Sequence, residues 1–248
     1  MGSHVTEVAE GVHRLTNGVA NFYLIQEAGK LVLVDAGAPK DWAIFAQAAR
    51  GLGKAVGDLD AVLLTHAHSD HTGFAERART EAGATVRVHP ADAEAARSGK
   101  SGKAESGVAR YLVHPEAYRT LFGLMAGGGL RIVPVAQVST FAEGEAIDVP
   151  GHPRAVHVPG HTPGSCALWF EATSVLCTGD ALVTRNPMTG RRGPQIMPSG
   201  LNVSSQDALD SLTALEETRA TLVLPGHGEP WRQGAEAAVR AARAAGMS

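Results

Sequence analysis

The chain has 248 residues, of which 19% are charged and 44% are hydrophobic, and its formal net charge is −3. This composition is ordinary for a soluble globular protein and leaves no excess of basic residues to bind the phosphate backbone of nucleic acid. No segment approaches the ~18 consecutive apolar residues of a membrane span, and no secretory signal pattern is recognisable. We therefore expect a cytoplasmic protein that binds neither nucleic acid nor a membrane.

The first part of the chain alternates strand-like segments with turns. Apolar residues spaced three or four apart predict an amphipathic helix over residues 41–52, and a shorter helix is expected over residues 73–81. Gly29 and Lys30 suit a hairpin turn between two of the strands. The predicted strands cover residues 11–15, 21–25, 31–35, 60–64 and 85–88.

Residues 91–129 differ in character from the segments around them. They begin Gly- and Ser-rich, become helix-like over residues 107–125 and end in a run of glycines. Because about 39 residues are too few for a core of their own, we interpret them as an insertion within one domain spanning residues 5–248. Residues 1–4 resemble a tag remnant. The insertion could pack on the edge of the core, overhang the functional site, or do both.

After the insertion the strand-rich pattern resumes and is followed by helices. The order of strands and helices, repeated twice along the chain, predicts an α/β (α+β) fold with two sheets face to face and helices outside. The predicted strands cover residues 130–133, 146–149, 155–158, 165–170, 174–177 and 221–224, and the helices cover residues 204–215 and 233–245.

The two cysteines lie on consecutive predicted strands. If a hairpin turns at Glu171 and Ala172, Cys166 and Cys177 face each other across it. Whether they form a disulfide stays open. In a reducing compartment the favoured interpretation is two small buried hydrophobic residues.

Three histidines and an aspartate lie within six residues, directly after the strand predicted at 60–64. Imidazole and carboxylate are ligands that zinc-class ions prefer, and a rigid strand end can hold them in place. These residues are His66, His68, Asp70 and His71. Three later strands each end at a glycine that is followed by a further candidate ligand, and glycine lets the backbone turn sharply there. The later candidates are His161, Asp180 and His227.

The pattern His-x-His-x-Asp-His resembles the signature of the metallo-β-lactamase superfamily, and the later motifs follow in the same order. The resemblance extends over roughly residues 7–231. It implies a four-layer αβ/βα sandwich and two groups of metal ligands joined by a bridging residue. The ligands of the first ion would be His66, His68 and His161, those of the second Asp70, His71 and His227, and the bridge Asp180. The implied cofactor is two Zn²⁺ ions, with Fe or Mn as alternatives.

The resemblance also implies a class of reaction. A hydroxide bridging the two metals would attack the substrate, and Asp70 would carry a proton to the leaving group. The sequence Thr178-Gly179-Asp180 is similar to the glyoxalase II and acyl-homoserine-lactonase branch. We therefore expect a zinc-dependent hydrolase, monomeric or homodimeric, that cleaves a small-molecule ester, lactone or thioester. The alternatives are β-lactamase-like hydrolysis of an amide and a persulfide dioxygenase with a single iron.

Some polar residues have two interpretations from the sequence alone. Asp35, at the end of a predicted strand, is either a support for a metal-binding histidine or a turn residue. Asn202 is considered as a substrate-facing residue. No motif indicates which of the three tyrosines, Tyr23, Tyr111 and Tyr118, reaches the site, if any does. Five histidines lack ligand spacing and are interpreted as structural or surface residues, namely His13, His89, His114, His152 and His157.

Overall fold

The first half of the chain forms a seven-stranded mixed sheet in the computed structural model, which describes residues 4–247. The first four strands pair antiparallel and the remaining three continue the sheet in parallel. In both chain order and spatial order the strands are β1 (Val5–Ala9), β2 (Val12–Thr16), β3 (Asn21–Glu27), β4 (Lys30–Val34), β5 (Leu59–Leu63), β6 (Thr85–Val88) and β7 (Ser139–Thr140).

The second half of the chain supplies a four-stranded sheet and a separate two-stranded hairpin. The four-stranded sheet consists of β8 (Arg154–His157), β9 (Cys166–Phe170), β10 (Val175–Gly179) and β13 (Leu222–Pro225), and the hairpin consists of β11 (Val183–Arg185) and β12 (Arg192–Gln195). The spatial order is β13-β10-β9-β8, with β10 and β13 parallel. The ends of β10 and β13 therefore meet at one edge of the sheet.

Helices cover the outer faces of both large sheets. The α-helices in residues 4–247 are α1 (Trp42–Gly51), α2 (Ala75–Arg77) with a π-helical turn over Ala78–Ala82, α3 (Pro90–Ser98), α4 (Pro115–Gly127), α5 (Ser205–Asp210), α6 (Leu212–Glu217) and α7 (Gly234–Ala245). Residues of α1 to α3 pack on the first sheet, and residues of α5 to α7 pack on the second. Among residues 4–247, no helix is long and apolar enough to cross a membrane.

Successive side chains of a strand point to opposite faces of its sheet, and the buried apolar side chains therefore form three layers. On β3, Phe22 and Leu24 face the helices on the outside of the first sheet, whereas Tyr23 and Ile25 face the second sheet. This follows from the two-residue period of a strand, and each large side chain fully buried in this way contributes about 1.5–3 kcal/mol. The predicted fold, two sheets face to face with helices outside, is confirmed.

Some predicted elements differ from the structure. Residues 130–133 and 146–149 are irregular, and Ala146 forms only a single bridge, to Arg154. The helix predicted over residues 204–215 is broken into α5 and α6 at Ser211, whose hydroxyl donates to the Pro159 carbonyl at 2.8 Å. The prediction missed β1, β7, β11 and β12, and of these β7 and β11 have too few residues for a pattern to be recognised.

Two predicted turns are displaced by a residue or more. The first hairpin turns at Ala28 and Gly29, which both have positive φ, so that Lys30 already belongs to β4. The second turn covers Glu171–Thr173 and Ser174, and it places Cys177 opposite Leu168. The prediction that the cysteines face each other is therefore wrong, because the turn is longer than two residues. Both are free buried thiols.

The insertion predicted at residues 91–129 contains two helices with different surroundings. α3, which the sequence did not indicate, buries Ala93 and Ala96 in the core of the first sheet. The helical region predicted over residues 107–125 contains a 3-10 turn, Val108–Tyr111, and then α4. α4 is exposed along much of its length, with Phe122 59% exposed. The beginning of the segment therefore belongs to the core and its later part lies outside it.

Candidate metal centre

The loop after β5 carries the first four candidate ligands. It is held compact by the amides of His71 and Thr72, which both donate to the carbonyl of His68. Its start is fixed to the second sheet, because the Cys166 amide donates to the Thr65 carbonyl at 2.9 Å. The loop therefore presents its histidines from a rigid base between the two sheets.

The other three candidate ligands arrive from strand ends of the second sheet. His161 follows β8, Asp180 directly follows β10, and His227 follows β13. The Gly226 amide donates to the Gly179 carbonyl at 2.8 Å and joins the ends of the two parallel strands. A Cβ on Gly226 would lie 2.2 Å from an oxygen of Asp180, so only glycine allows this close approach.

Three histidine rings converge in the first group of ligands. The Nε2 atom of His161 lies 2.9 Å from Nδ1 of His68 and 3.2 Å from Nε2 of His66. The ligand atoms of all three lie within 4.8 Å of one another. Imidazole nitrogens that point at a common centre are the arrangement that a zinc-class ion requires.

A second group contains one carboxylate and two histidines. Nε2 of His227 lies 3.6 Å from Oδ2 of Asp70, and Nε2 of His71 lies 3.9 Å from the same atom. The ligand atoms of this group also lie within 4.8 Å of one another. The structure thus assembles the two predicted triads as neighbouring groups.

Asp180 lies between the two groups. Its Oδ2 atom is 3.5 Å from Nε2 of His161 in the first group and 3.2 Å from Nε2 of His227 in the second. Its Oδ1 atom and Nε2 of His71 are buried, lie 3.4 Å apart and have no hydrogen-bond partner. Buried polar atoms without partners are costly, and a cation between them would satisfy both. The residues present therefore fit two metal ions.

Burial sets the protonation of the first group. Burial and the neighbouring His68 lower the pKa of His161 to about 3. Burial, with His71 and His161 nearby, lowers the pKa of His66 well below its usual range. These rings are therefore neutral at physiological pH, which is the form that binds metal.

In the second group, nearby carboxylates outweigh burial in setting the pKa values of the histidines. Burial opposes the charged form of His71, but Asp180 and Asp35 raise its pKa well above the usual range. Burial likewise opposes protonation of His227, yet Asp180 raises its pKa. The same histidines hold the pKa of Asp180 well below its usual range despite burial. The second group therefore holds protons that a metal ion would displace.

The second ring nitrogen of each of four histidines contacts a protein group. Nδ1 of His71 lies 2.8 Å from Asp35, which has the unusual positive φ of 64° and also accepts from Thr65. This geometry favours the supporting role that the sequence suggested for Asp35. Nδ1 of His227 lies 2.7 Å from the Val19 carbonyl, and Nδ1 of His66 lies 3.0 Å from the Thr65 hydroxyl. Such contacts fix the tautomer and orientation of a metal-binding imidazole.

Asn202 provides the fourth of these contacts. Its Oδ1 lies 3.2 Å from Nδ1 of His161, and its amide nitrogen donates to the Met197 carbonyl. Asn202 is fully buried, so the interpretation of this residue as substrate-facing is wrong. It orients a candidate ligand instead.

Asp92 is a further residue of the site, and no sequence signal identified it. One of its carboxylate oxygens accepts from the Ala67 amide and from the Thr162 hydroxyl, and the other accepts from the Gly164 amide. It is 2% exposed. Asp92 therefore connects the loop of His66 and His68 to the loop of His161.

The other histidines and tyrosines lie outside the two groups. None of the six remaining histidines, His4 included, takes part in a metal-ligating cluster among residues 4–247. The Tyr23 hydroxyl donates to the Pro225 carbonyl at 2.7 Å, Tyr111 contacts Ser199, and Tyr118 is 46% exposed.

A cleft of about 550 Å³ opens onto the two groups. Its walls come from α4, from the segments that follow α3 and α4, from the turn between β11 and β12 and from the segment between β12 and α5. They are mainly apolar. The apolar side chains include Leu124, Leu130, Ile132, Met188, Met197 and Leu201. The later part of the predicted insertion thus lies over the candidate metal centre.

The sequence matches the model of the family described as the metallo-beta-lactamase superfamily over residues 15–227. The chain is 27% identical to the probable metallo-hydrolase YflN of Bacillus subtilis, over 90% of this chain and 86% of that protein. It is 31% identical to the uncharacterized protein Rv2581c of Mycobacterium tuberculosis, over 71% and 72% of the two chains.

Solved structures share the fold. The metallo-beta-lactamase family protein TTHA1429 from Thermus thermophilus has a TM-score of 0.66 and 24% identity, covering 94% of this chain and 78% of that one. The Rm3 metallo-beta-lactamase has a TM-score of 0.71 and 18% identity, covering 98% and 92%. From its sequence match and its fold, the chain belongs to the metallo-beta-lactamase superfamily.

Proposed function

We propose that this metallo-hydrolase of the metallo-beta-lactamase superfamily binds two zinc ions and hydrolyses a small-molecule ester, lactone or thioester. The observation that carries the proposal is the pair of ligand groups with Asp180 between them. When bound, two divalent ions would activate water as the nucleophile and polarise the carbonyl under attack. The residues of the chain would hold the ions in place and transfer the protons.

Asp70 is the carboxylate that we assign to proton transfer. Its side chain is 15% exposed and lines the cleft, whereas that of Asp180 is 3% exposed. After the scissile bond breaks, the departing alkoxide or thiolate needs a proton. Asp70 can accept a proton from the attacking water and donate it to the leaving group, because it is the more exposed of the two carboxylates that line the cleft.

The walls of the cleft support an acyl substrate. The apolar residues that line the cleft include Leu124, Leu130, Ile132, Met188 and Leu201. An apolar acyl group would bury its surface there with a gain of about 25 cal/mol per Å². Its carbonyl carbon would then lie toward Asp70 and the histidines at the base of the cleft.

The test is a substrate panel on purified protein whose metal content is measured. The panel contains an aliphatic lactone, an acyl thioester, a chromogenic cephalosporin and a persulfide with oxygen-uptake detection. We expect the lactone or the thioester to be hydrolysed, with activity lost on chelation and restored by about two equivalents of zinc. Cleavage of the cephalosporin alone, or oxygen uptake with one bound iron, would contradict the proposal.

A further inference from the structure

A second cavity, of about 360 Å³, lies beside the metal centre and shares no lining residue with the cleft. Four arginines line it, namely Arg14, Arg119, Arg185 and Arg192. We call it the arginine cavity. Its volume is within the range of small-molecule sites. Its wall includes Val19, whose carbonyl contacts Nδ1 of His227, so the segment at Val19 separates it from the candidate metal centre.

The charge of the arginine cavity is opposite in sign to that of the whole chain, which is −3. Glu229 pairs with Arg14 at 2.6 Å but is 77% exposed, and an ion pair with such an exposed partner contributes little. One carboxylate, that of Glu116, forms ion pairs with both Arg185 and Arg119. Four guanidinium groups are thus matched by two carboxylates.

Two of the arginines lie directly opposite each other. Arg185 on β11 and Arg192 on β12 are cross-strand partners in the antiparallel hairpin. Like charges in this arrangement destabilise a strand pair. Arg192 has no ion-pair partner in the described part of the chain, residues 4–247. An anion held between the two guanidinium groups would turn this repulsion into attraction.

We propose that the arginine cavity binds the phosphate or carboxylate group of a small molecule, separately from the metal centre. The planar fork of a guanidinium group donates paired hydrogen bonds to either anion. Trp231 and Pro230 form an apolar part of the wall, and the cavity is larger than a lone phosphate needs. The ligand therefore carries an apolar or planar body beside its anionic group.

The test is calorimetric titration of the metal-loaded full chain with phenylphosphonate, which has no phosphoester bond to hydrolyse. We expect the double variant Arg119→Ala/Arg192→Ala to bind the probe at least about tenfold more weakly than the wild type. The conservative variant Arg192→Lys should fall between the two. Arg240→Ala, which removes an exposed arginine that does not line the cavity, is the matched control and should bind like the wild type.

Thermal unfolding gives a second, independent measurement. Without the anion, Arg192→Ala should melt at or above the wild-type temperature, because it removes the repulsion from Arg185. Phenylphosphonate should raise the melting temperature of the wild type more than that of Arg192→Ala. Equal affinity of the wild type and the double variant, as expected if the probe contacts only the metal ions, would overturn the proposal, and so would a wild type that does not bind.

A parallel titration with inorganic phosphate shows whether the anionic group belongs to a larger molecule or is a free anion. If phenylphosphonate binds more tightly, the ligand is a larger molecule whose body contacts Trp231. If both bind equally, and both weaken in the double variant, the site takes a free anion and the inference of an apolar or planar body is wrong.

Discussion

At the scale of single residues, the environment of each ring divides the candidate ligands into two chemical types. The pKa values of His66 and His161 are lowered mainly by burial. Those of His71 and His227 are raised against burial, chiefly by Asp180. The two groups therefore compete with protons to different extents when a metal ion binds.

This division predicts different proton release for the two ions. An ion entering the group of His71 and His227 must displace protons, so its affinity rises with pH through their raised pKa values. An ion entering the group of His66 and His161 meets neutral rings and releases few protons at pH 7. Calorimetric titration of the metal-free protein with zinc, in buffers of different ionisation enthalpy, measures the protons released. Equal release for both ions would contradict this expectation.

Asp70 gives the second prediction. Asp70→Asn keeps an oxygen that can face a metal ion but removes the group that exchanges the proton. We expect kcat to fall by about 10²–10⁴-fold while the metal content decreases much less. Asp60→Asn, at a partly buried position on β5, is the control. An Asp70→Asn variant that binds metal and turns over at the wild-type rate would refute the assignment.

At the scale of elements, the site depends on loops from distant parts of the chain being joined. Asp92, at the start of α3, joins the loop after β5 to the loop after β8. Its partners, Ala67, Thr162 and Gly164, lose a buried acceptor if the carboxylate is removed. Each unsatisfied buried group costs about 1–3 kcal/mol.

We therefore expect Asp92→Ala to lower the free energy of unfolding by roughly 3 kcal/mol or more and to weaken zinc binding by the first group. Urea unfolding with and without zinc measures both effects. Asp60→Ala serves as the control for the loss of a carboxylate. A stability within about 0.5 kcal/mol of the wild type would show that Asp92 does not hold the loops.

The sequence was most informative where the signal is local. The motif that contains His66 to His71 names four candidate ligands by spacing alone, and each later ligand follows its own strand and glycine. Asp92 and Asn202 could not be predicted in their observed roles, because each acts on a partner far along the chain. Most of the strands of the two large sheets were predicted, whereas the two-residue β7 and the three-residue β11 carry too few residues to show a pattern.

At the scale of the whole molecule, three apolar layers fix the relative positions of the two sheets. One layer lies between the sheets, and the other two lie between each sheet and its helices. The candidate ligands lie where the loops of both sheets meet, so neither sheet alone completes a ligand group. His66 comes from the first sheet and His161 from the second, yet their Nε2 atoms are 3.2 Å apart. Correct packing of the sandwich is therefore a condition for metal binding.

Metal stoichiometry tests the central claim most directly. Zinc is measured by elemental analysis after equilibrium dialysis of the wild type, His161→Ala, His227→Ala and the control His157→Ala, whose ring stacks on His89 outside the two groups. We predict about two ions per chain in the wild type and the control, and about one in each of the other variants. One ion in the wild type, or two in either ligand variant, would contradict the two-group site.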